Sequence, residues 1–175
     1  MFPEYPTPSM SIEASHTSGL FSKHPLNIVR GQGALLFDDQ GRQYIDCMGG
    51  HGVANIGHSH PRLIEAITRQ AQNLIILPET YFNDARANLL EKITALEPGL
   101  DRAFFCNSGT ESIEAAIKFA RLSTGRTRII AAMRGFHGRT LGALSATWNK
   151  GYRLTLEHLV PDFYHIPFNN ISALH

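Results

Sequence analysis

The sequence predicts an α/β fold in which helices cover a parallel sheet. Three observations carry this. Residues 103–106 (AFFC) and 128–133 (RIIAAM) are short apolar runs of the kind found in strands buried on both faces. Between them, from about 109 to 123, Ile113, Ala116, Ile117 and Ala120 recur at helical spacing, and Gly125 lies just beyond as a stop. Strand, helix, strand is the βαβ unit, whose two strands run parallel.

The other elements follow in chain order. Residues 1–25 are rich in Pro, Ser and Thr and predict an irregular arm. Residues 34–46 (ALLFDDQGRQYID) place apolar runs on either side of Asp39-Gln40-Gly41, the pattern of a hairpin with a glycine-containing turn. The stretch CMGGHGVANIGHSHP has glycine at 49, 50, 52 and 57, too many for a regular element, and suits a loop whose backbone approaches another group closely. Pro61 opens a helix to about Asn73, with Leu63, Ile64, Ile67 and Ala71 on one face. A further helix runs from Asp84 to Leu96 and is closed by Pro98-Gly99.

With 175 residues, 43% hydrophobic and 18% charged, the chain has the composition of an ordinary globular protein large enough for one sizeable core. Lys and Arg (16) nearly balance Asp and Glu (15), and no block of like charge marks a nucleic-acid or membrane partner. The first residues, MFPEYPTPSM, lack the apolar stretch of a signal peptide, and no run is long enough to span a bilayer. Cys47 and Cys106 are expected as free thiols, and the protein as cytoplasmic.

Two loops carry the candidate chemistry. Asn107-Ser108-Gly109-Thr110-Glu111 joins the expected strand to the helix. A helix start offers free N–H groups and a partial positive charge, so it favours an anion of phosphate size. Gly109 would allow close approach and Thr110 adds a hydroxyl. Ser108-x-x-Glu111 is equally a capping box, which satisfies the same N–H groups with no ligand, and on the local pattern alone a cap is the commoner explanation. The motif is neither a Walker loop nor a GxGxxG fingerprint. The second loop, residues 134–140 (RGFHGRT), follows the second strand and should lie on the same sheet edge. Phe136 could face a flat ligand or belong to the core; Arg139 could hold a carboxylate through paired hydrogen bonds or start a helix in solvent.

FFCNSGTESIEAAIKFAR followed by RGFHGRTLGALSAT, with IDCMGGHGVANIGHSHP upstream, resembles the class III, ornithine-type aminotransferases, from about Ile28 to the last residue. The resemblance implies the pyridoxal-phosphate-dependent transferase fold of type I. It implies that Ser108, Gly109 and Thr110 hold the cofactor phosphate, that Phe136 stacks on the pyridine ring, and that Arg139 binds the substrate α-carboxylate. It places residues 49–55 at the substrate entrance, and makes the protein a homodimer with shared sites. Within the family, the wording is similar to the acetylornithine branch and most of all to enzymes of lysine and arginine biosynthesis whose lysine or ornithine substrate is attached to an acidic amino-group carrier protein. The implied reaction passes a terminal amino group to 2-oxoglutarate, giving glutamate. On this reading residues 1–57 form an arm, hairpin and glycine-rich loop, and residues 58–175 the first part of the large cofactor-binding domain.

The family's Schiff-base lysine and the acid at the pyridine nitrogen fall beyond residue 175 in chains more than twice this length. Lys23, Lys92, Lys118 and Lys150 match neither position, so no catalytic lysine is assigned, and the 175-residue chain is expected to be inactive alone. A catalytically incomplete fragment or scaffold is therefore an alternative. Another is a metal protein using Cys47, His51, His58 and His60, although their spacing fits no closed zinc pattern and no metal ligand is assigned.

Overall fold

The computed structural model describes residues 7–154 and 158–174. The chain forms two compact units, one up to Tyr81 and one from Phe82 onward.

The first unit opens with helix α1 (Pro8–His16). Thr7 stands at its N-cap, its hydroxyl accepting from the Met10 N–H at 3.4 Å, and Pro8 occupies the first turn, where its missing N–H costs nothing. The irregular arm expected over 1–25 is corrected here: for 8–16 the cap and the proline start a helix that composition alone hides. Residues 1–6 of that arm lie outside the described residues.

Strands β1 (Ile28–Gln32), β2 (Leu35–Asp38) and β3 (Gln43–Ile45) form an antiparallel sheet in the order β1-β2-β3. The β2–β3 connection is the expected hairpin, and Gly41 takes the left-handed conformation its turn requires (φ +75°). Buried Asp38 organises this turn. Its carboxylate accepts from the Gln40 and Arg42 N–H groups at 3.0 and 2.8 Å, from Arg42 Nε at 2.7 Å and from the Tyr44 hydroxyl at 2.9 Å.

A short left-handed turn, α2 (Gly49–Gly52), follows, and helix α3 (Pro61–Asn73) closes the unit. Asp46 holds the turn, accepting from the N–H groups of Met48 and Gly49 through one oxygen and meeting His58 Nε2 at 2.6 Å through the other. The glycines at 31 and 57 serve close packing: a methyl at Gly31 would lie 2.7 Å from the His58 side chain, and one at Gly57 2.9 Å from Gly33 Cα.

In the second unit, helix α4 (Asp84–Thr94) is capped by Asn83, which accepts from the Arg86 N–H at 3.1 Å. Helix α5 (Gly109–Thr124) ends on Gly125 at φ +66°. Strand β4 (Ile129–Ala132), helix α6 (Leu141–Ala146) and strand β5 (Phe163–Ile166) complete the unit. β4 and β5 pair in parallel, Ile129 against Phe163 through Ala132 against Ile166. The parallel sheet is therefore present and β4 is the strand expected over 128–133, but its partner is β5 and not residues 103–106. Residues 103–106 join no ladder among the described residues, because an apolar run becomes a strand only where a neighbouring backbone takes its N–H and C=O groups. Instead Phe104 meets Phe119 of α5 edge to face at 5.7 Å.

The buried core gathers around α6: Ala143, Leu144, Ser145, Ala146 and Thr147, with Ala131 of β4. Arg121, near the end of α5, donates to the carbonyls of Thr127 and Pro161 and so clasps the entry to both strands.

Candidate active site

The start of α5 and the loop after β4 come together in the second unit. Ser108 is the N-cap of α5, its hydroxyl accepting from the Glu111 N–H at 3.3 Å. Glu111 reaches back, but to the N–H of Asn107 at 2.6 Å rather than to that of the cap residue. This bond to Asn107 is the main reason its carboxyl sits below the ordinary range, overcoming the opposing effect of burial. The reciprocal cap is thus present in a shifted form, with Glu111 serving Asn107, and it leaves the N–H groups of Gly109 and Thr110 with no acceptor among the described residues. A Cβ built at Gly109 meets nothing within 4 Å. The cap therefore does not use up the helix start: two N–H groups and the space over Gly109 stay open.

The loop from Arg134 to Thr140 folds back on the end of α6. Thr147, fully buried, holds it: its hydroxyl accepts from the His137 N–H at 2.9 Å and lies 3.1 and 3.3 Å from the carbonyls of Ala143 and Gly138. Trp148 N–H donates to Gly135 O at 3.0 Å. Arg134 adopts φ +67°, a costly conformation for a residue with a side chain. Gly138 adopts φ +139°, and a methyl there would fall 2.2 Å from Thr110 Oγ1. The two loops are therefore in contact, and only glycine permits it.

Phe136 is 59% exposed, which rules out the core reading. Its ring is held by Tyr152, with centroids 5.9 Å apart and planes at 78°. The cleft beside it, about 600 Å³, is lined by Arg134, Phe136, Trp148, Asn149, Lys150 and Tyr152. That volume suits a small cofactor. Arg139 sits in the same loop, two residues before the start of α6.

Sequence reading missed Glu114. It lies on α5, yet one of its oxygens accepts from the Thr140 hydroxyl at 2.6 Å and from the Gly142 and Ala143 N–H groups at 3.0 and 3.2 Å. It therefore caps α6, whose own N-cap residue Thr140 makes no side-chain cap bond. The Thr140 hydroxyl is the leading reason that the Glu114 carboxyl is held below its ordinary range, against burial and with help from the two N–H groups and Lys118. No sequence signal set it apart: it lies outside the apolar face of Ile113, Ala116, Ile117 and Ala120, in line with Lys118 and Arg121.

Of the four proposed metal ligands, His58 is engaged by Asp46, and no cluster of three or more His, Cys, Asp or Glu able to hold an ion occurs among the described residues. Cys47 and Cys106 are free. No helix among the described residues is long and apolar enough to cross a membrane.

An open helix start in contact with a loop that bears an exposed aromatic ring, on an α/β unit, suits a flat anionic ligand, and the family comparison makes the class definite: the chain belongs to the class-III aminotransferases, whose sequence pattern matches residues 20–174. Among individual relatives, it is 50% identical over 149 residues to the [LysW]-aminoadipate semialdehyde transaminase of Deinococcus radiodurans, covering 85% of this chain and 35% of that protein. It is 45% identical over 155 residues to the acetylornithine aminotransferase of Methanopyrus kandleri, covering 88% and 40%. The chain thus spans well under half the length of these relatives. Among solved structures, the ornithine aminotransferase of Toxoplasma gondii, with partial occupancy of pyridoxal phosphate at its active site, matches with a TM-score of 0.87 at 26% identity, over 95% of this chain and 41% of that one. The taurine:2-oxoglutarate aminotransferase of Bifidobacterium kashiwanohense, in complex with pyridoxal phosphate and glutamate, matches with a TM-score of 0.86 at 28% identity, over 98% and 40%. These likenesses agree with the fold type expected from the resemblance.

Proposed function

We propose that this chain is the N-terminal part of a pyridoxal-phosphate-dependent aminotransferase of lysine or arginine biosynthesis. It moves the terminal amino group of an acetylornithine-like substrate, or of lysine or ornithine attached to an acidic carrier protein, to 2-oxoglutarate; in the biosynthetic direction the flow is reversed. The complete protein is a cytoplasmic homodimer. The observation that carries the reading is the contact between the α5 start and the loop bearing Phe136 and Arg139, made through Gly138 and Thr110.

The residues present fit the cofactor. The free N–H groups of Gly109 and Thr110, over the open space at Gly109, take its phosphate, and Ser108 keeps the helix start in place. Phe136 supplies a ring face for the pyridine, steadied by Tyr152. When bound, pyridoxal phosphate supplies the electron sink for amino transfer. Arg139 receives the substrate α-carboxylate through paired hydrogen bonds. The names of the relatives, which include a carrier-linked transaminase and an acetylornithine aminotransferase, support both substrate types.

The test is a titration with pyridoxal phosphate followed by absorbance, with Phe136→Ala and Arg139→Ala beside the parent. The 175-residue chain should bind weakly, without a borohydride-trappable link to Lys23, Lys92, Lys118 or Lys150, and Phe136→Ala should weaken binding further. In the complete protein, Arg139→Ala should spare cofactor affinity and raise KM for the amino acid. A complete, folded protein that takes up no cofactor would overturn the reading.

A further inference from the structure

Glu114 does two things at once. It caps α6 with one oxygen, and through Thr140 it reaches the α5 start, because Thr140 Oγ1 lies 3.0 Å from Thr110 Oγ1. A hydroxyl has a single proton. That of Thr140 is donated to Glu114, whose ionised carboxylate has none to give. The proton between the two threonines therefore comes from Thr110. It follows that Thr110 turns lone pairs, not its proton, toward anything resting on the α5 start.

We propose that Glu114 is the positioning residue of this site: through Thr140 it orients the Thr110 hydroxyl as an acceptor, and through the α6 cap it fixes the backbone that carries Arg139. One carboxylate then sets the phosphate end and the substrate-carboxylate end of the site in register. The inference rests on the cofactor reading above and extends it.

The orientation has a chemical consequence. An acceptor beside a phosphate favours the form that retains a proton, since that form can donate to it, and disfavours the dianion. Phosphate bound here should therefore lose its last proton at a higher pH than it would beside a donating hydroxyl. Thr140→Val removes the acceptor for the Thr110 proton at nearly constant shape while leaving the Gly142 and Ala143 N–H groups on Glu114. Thr110 is then free to donate to the phosphate.

The experiment uses the complete protein loaded with pyridoxal phosphate. A ³¹P NMR pH titration reads the ionisation of the bound phosphate, and absorbance reads cofactor affinity. Thr140→Val should move the ³¹P titration to lower pH. Glu114→Ala should weaken cofactor binding about tenfold and raise KM for the amino substrate, by the loss of the charge-assisted bonds to Thr140 and the α6 start. Glu114→Gln, which keeps an acceptor oxygen, should recover most of the KM. A role confined to folding would leave the ³¹P titration of folded Thr140→Val as in the parent, and that result would overturn the proposal while cofactor binding stood. A parent protein that binds no pyridoxal phosphate would overturn both this and the functional reading.

Discussion

Replacing Gly138 by alanine should drive the two loops of the site apart. The added methyl would lie 2.2 Å from Thr110 Oγ1, 2.7 Å from Thr110 Cβ and 3.0 Å from Ala143 Cβ. None of these can yield easily: Thr110 is tied to Thr140, and Ala143 is fully buried in α6. Overpacking of this kind costs about 1–3 kcal/mol. The backbone adds to it, since φ +139° belongs to a region that is essentially glycine's alone, at about 1–3 kcal/mol for another residue. Together these predict a loss of about 2–6 kcal/mol, a large share of the 5–15 kcal/mol that typically holds a protein folded. The assay is urea unfolding followed by circular dichroism, with Gly125→Ala as the reference. Gly125 is also left-handed, at φ +66°, but its Cβ would meet open space, so it isolates the backbone cost at about 1–2 kcal/mol. Adding Thr110→Ala to Gly138→Ala removes the nearest atom and should restore about 1 kcal/mol. If Gly138→Ala lost no more than Gly125→Ala, the close approach of the loops would be refuted.

Other outcomes follow from the same geometry. Burial alone would raise the Asp38 carboxyl, but its bonds from Arg42, Tyr44 and Gln40 outweigh this and lower it from 3.8 to about 2. The fold therefore favours its ionised form: the stability is complete above about pH 4 and is lost as pH falls toward 2, so Asp38→Asn should flatten unfolding profiles in that window. Ser108→Ala removes the α5 cap and should destabilise by about 1 kcal/mol in thermal unfolding. Phe136→Ala should weaken pyridoxal phosphate binding with little change in melting temperature, because the ring is already exposed; a large drop in melting temperature would assign it to the core after all. The 175-residue chain alone should self-associate in light scattering, since Ile64, Ile67, Ile75 and Ile76 are all more than half exposed or nearly so.

Local patterns were legible where neighbours in sequence decide the structure. The Gly41 turn, the Pro61 helix start and the Gly125 stop each depend on a few adjacent residues, and each forms where expected. What failed depended on distant partners. Residues 103–106 are as apolar as β4 but find no ladder, whereas β5, with a tyrosine and a histidine among its four residues, pairs with β4 across thirty-odd positions. Both site loops could be picked out by their glycines and hydroxyls, yet nothing local announced that Glu114 would bind donors 26 to 29 residues away. Likewise α1 hides in a segment whose serines and prolines resemble a linker until Thr7 is seen as its cap.

The turn at Gly49–Gly52 has its own consequence. Four successive residues, Gly49, Gly50, His51 and Gly52, hold φ between +52° and +86°, while Met48 and Val53 on either side are right-handed. For this one turn the chain is a mirror image of an ordinary helix. Chemical synthesis could exploit that: a D-alanine at Gly49 or Gly50 would be at ease where its L-counterpart is strained, and His51 is the one residue there whose own chirality opposes the path it follows.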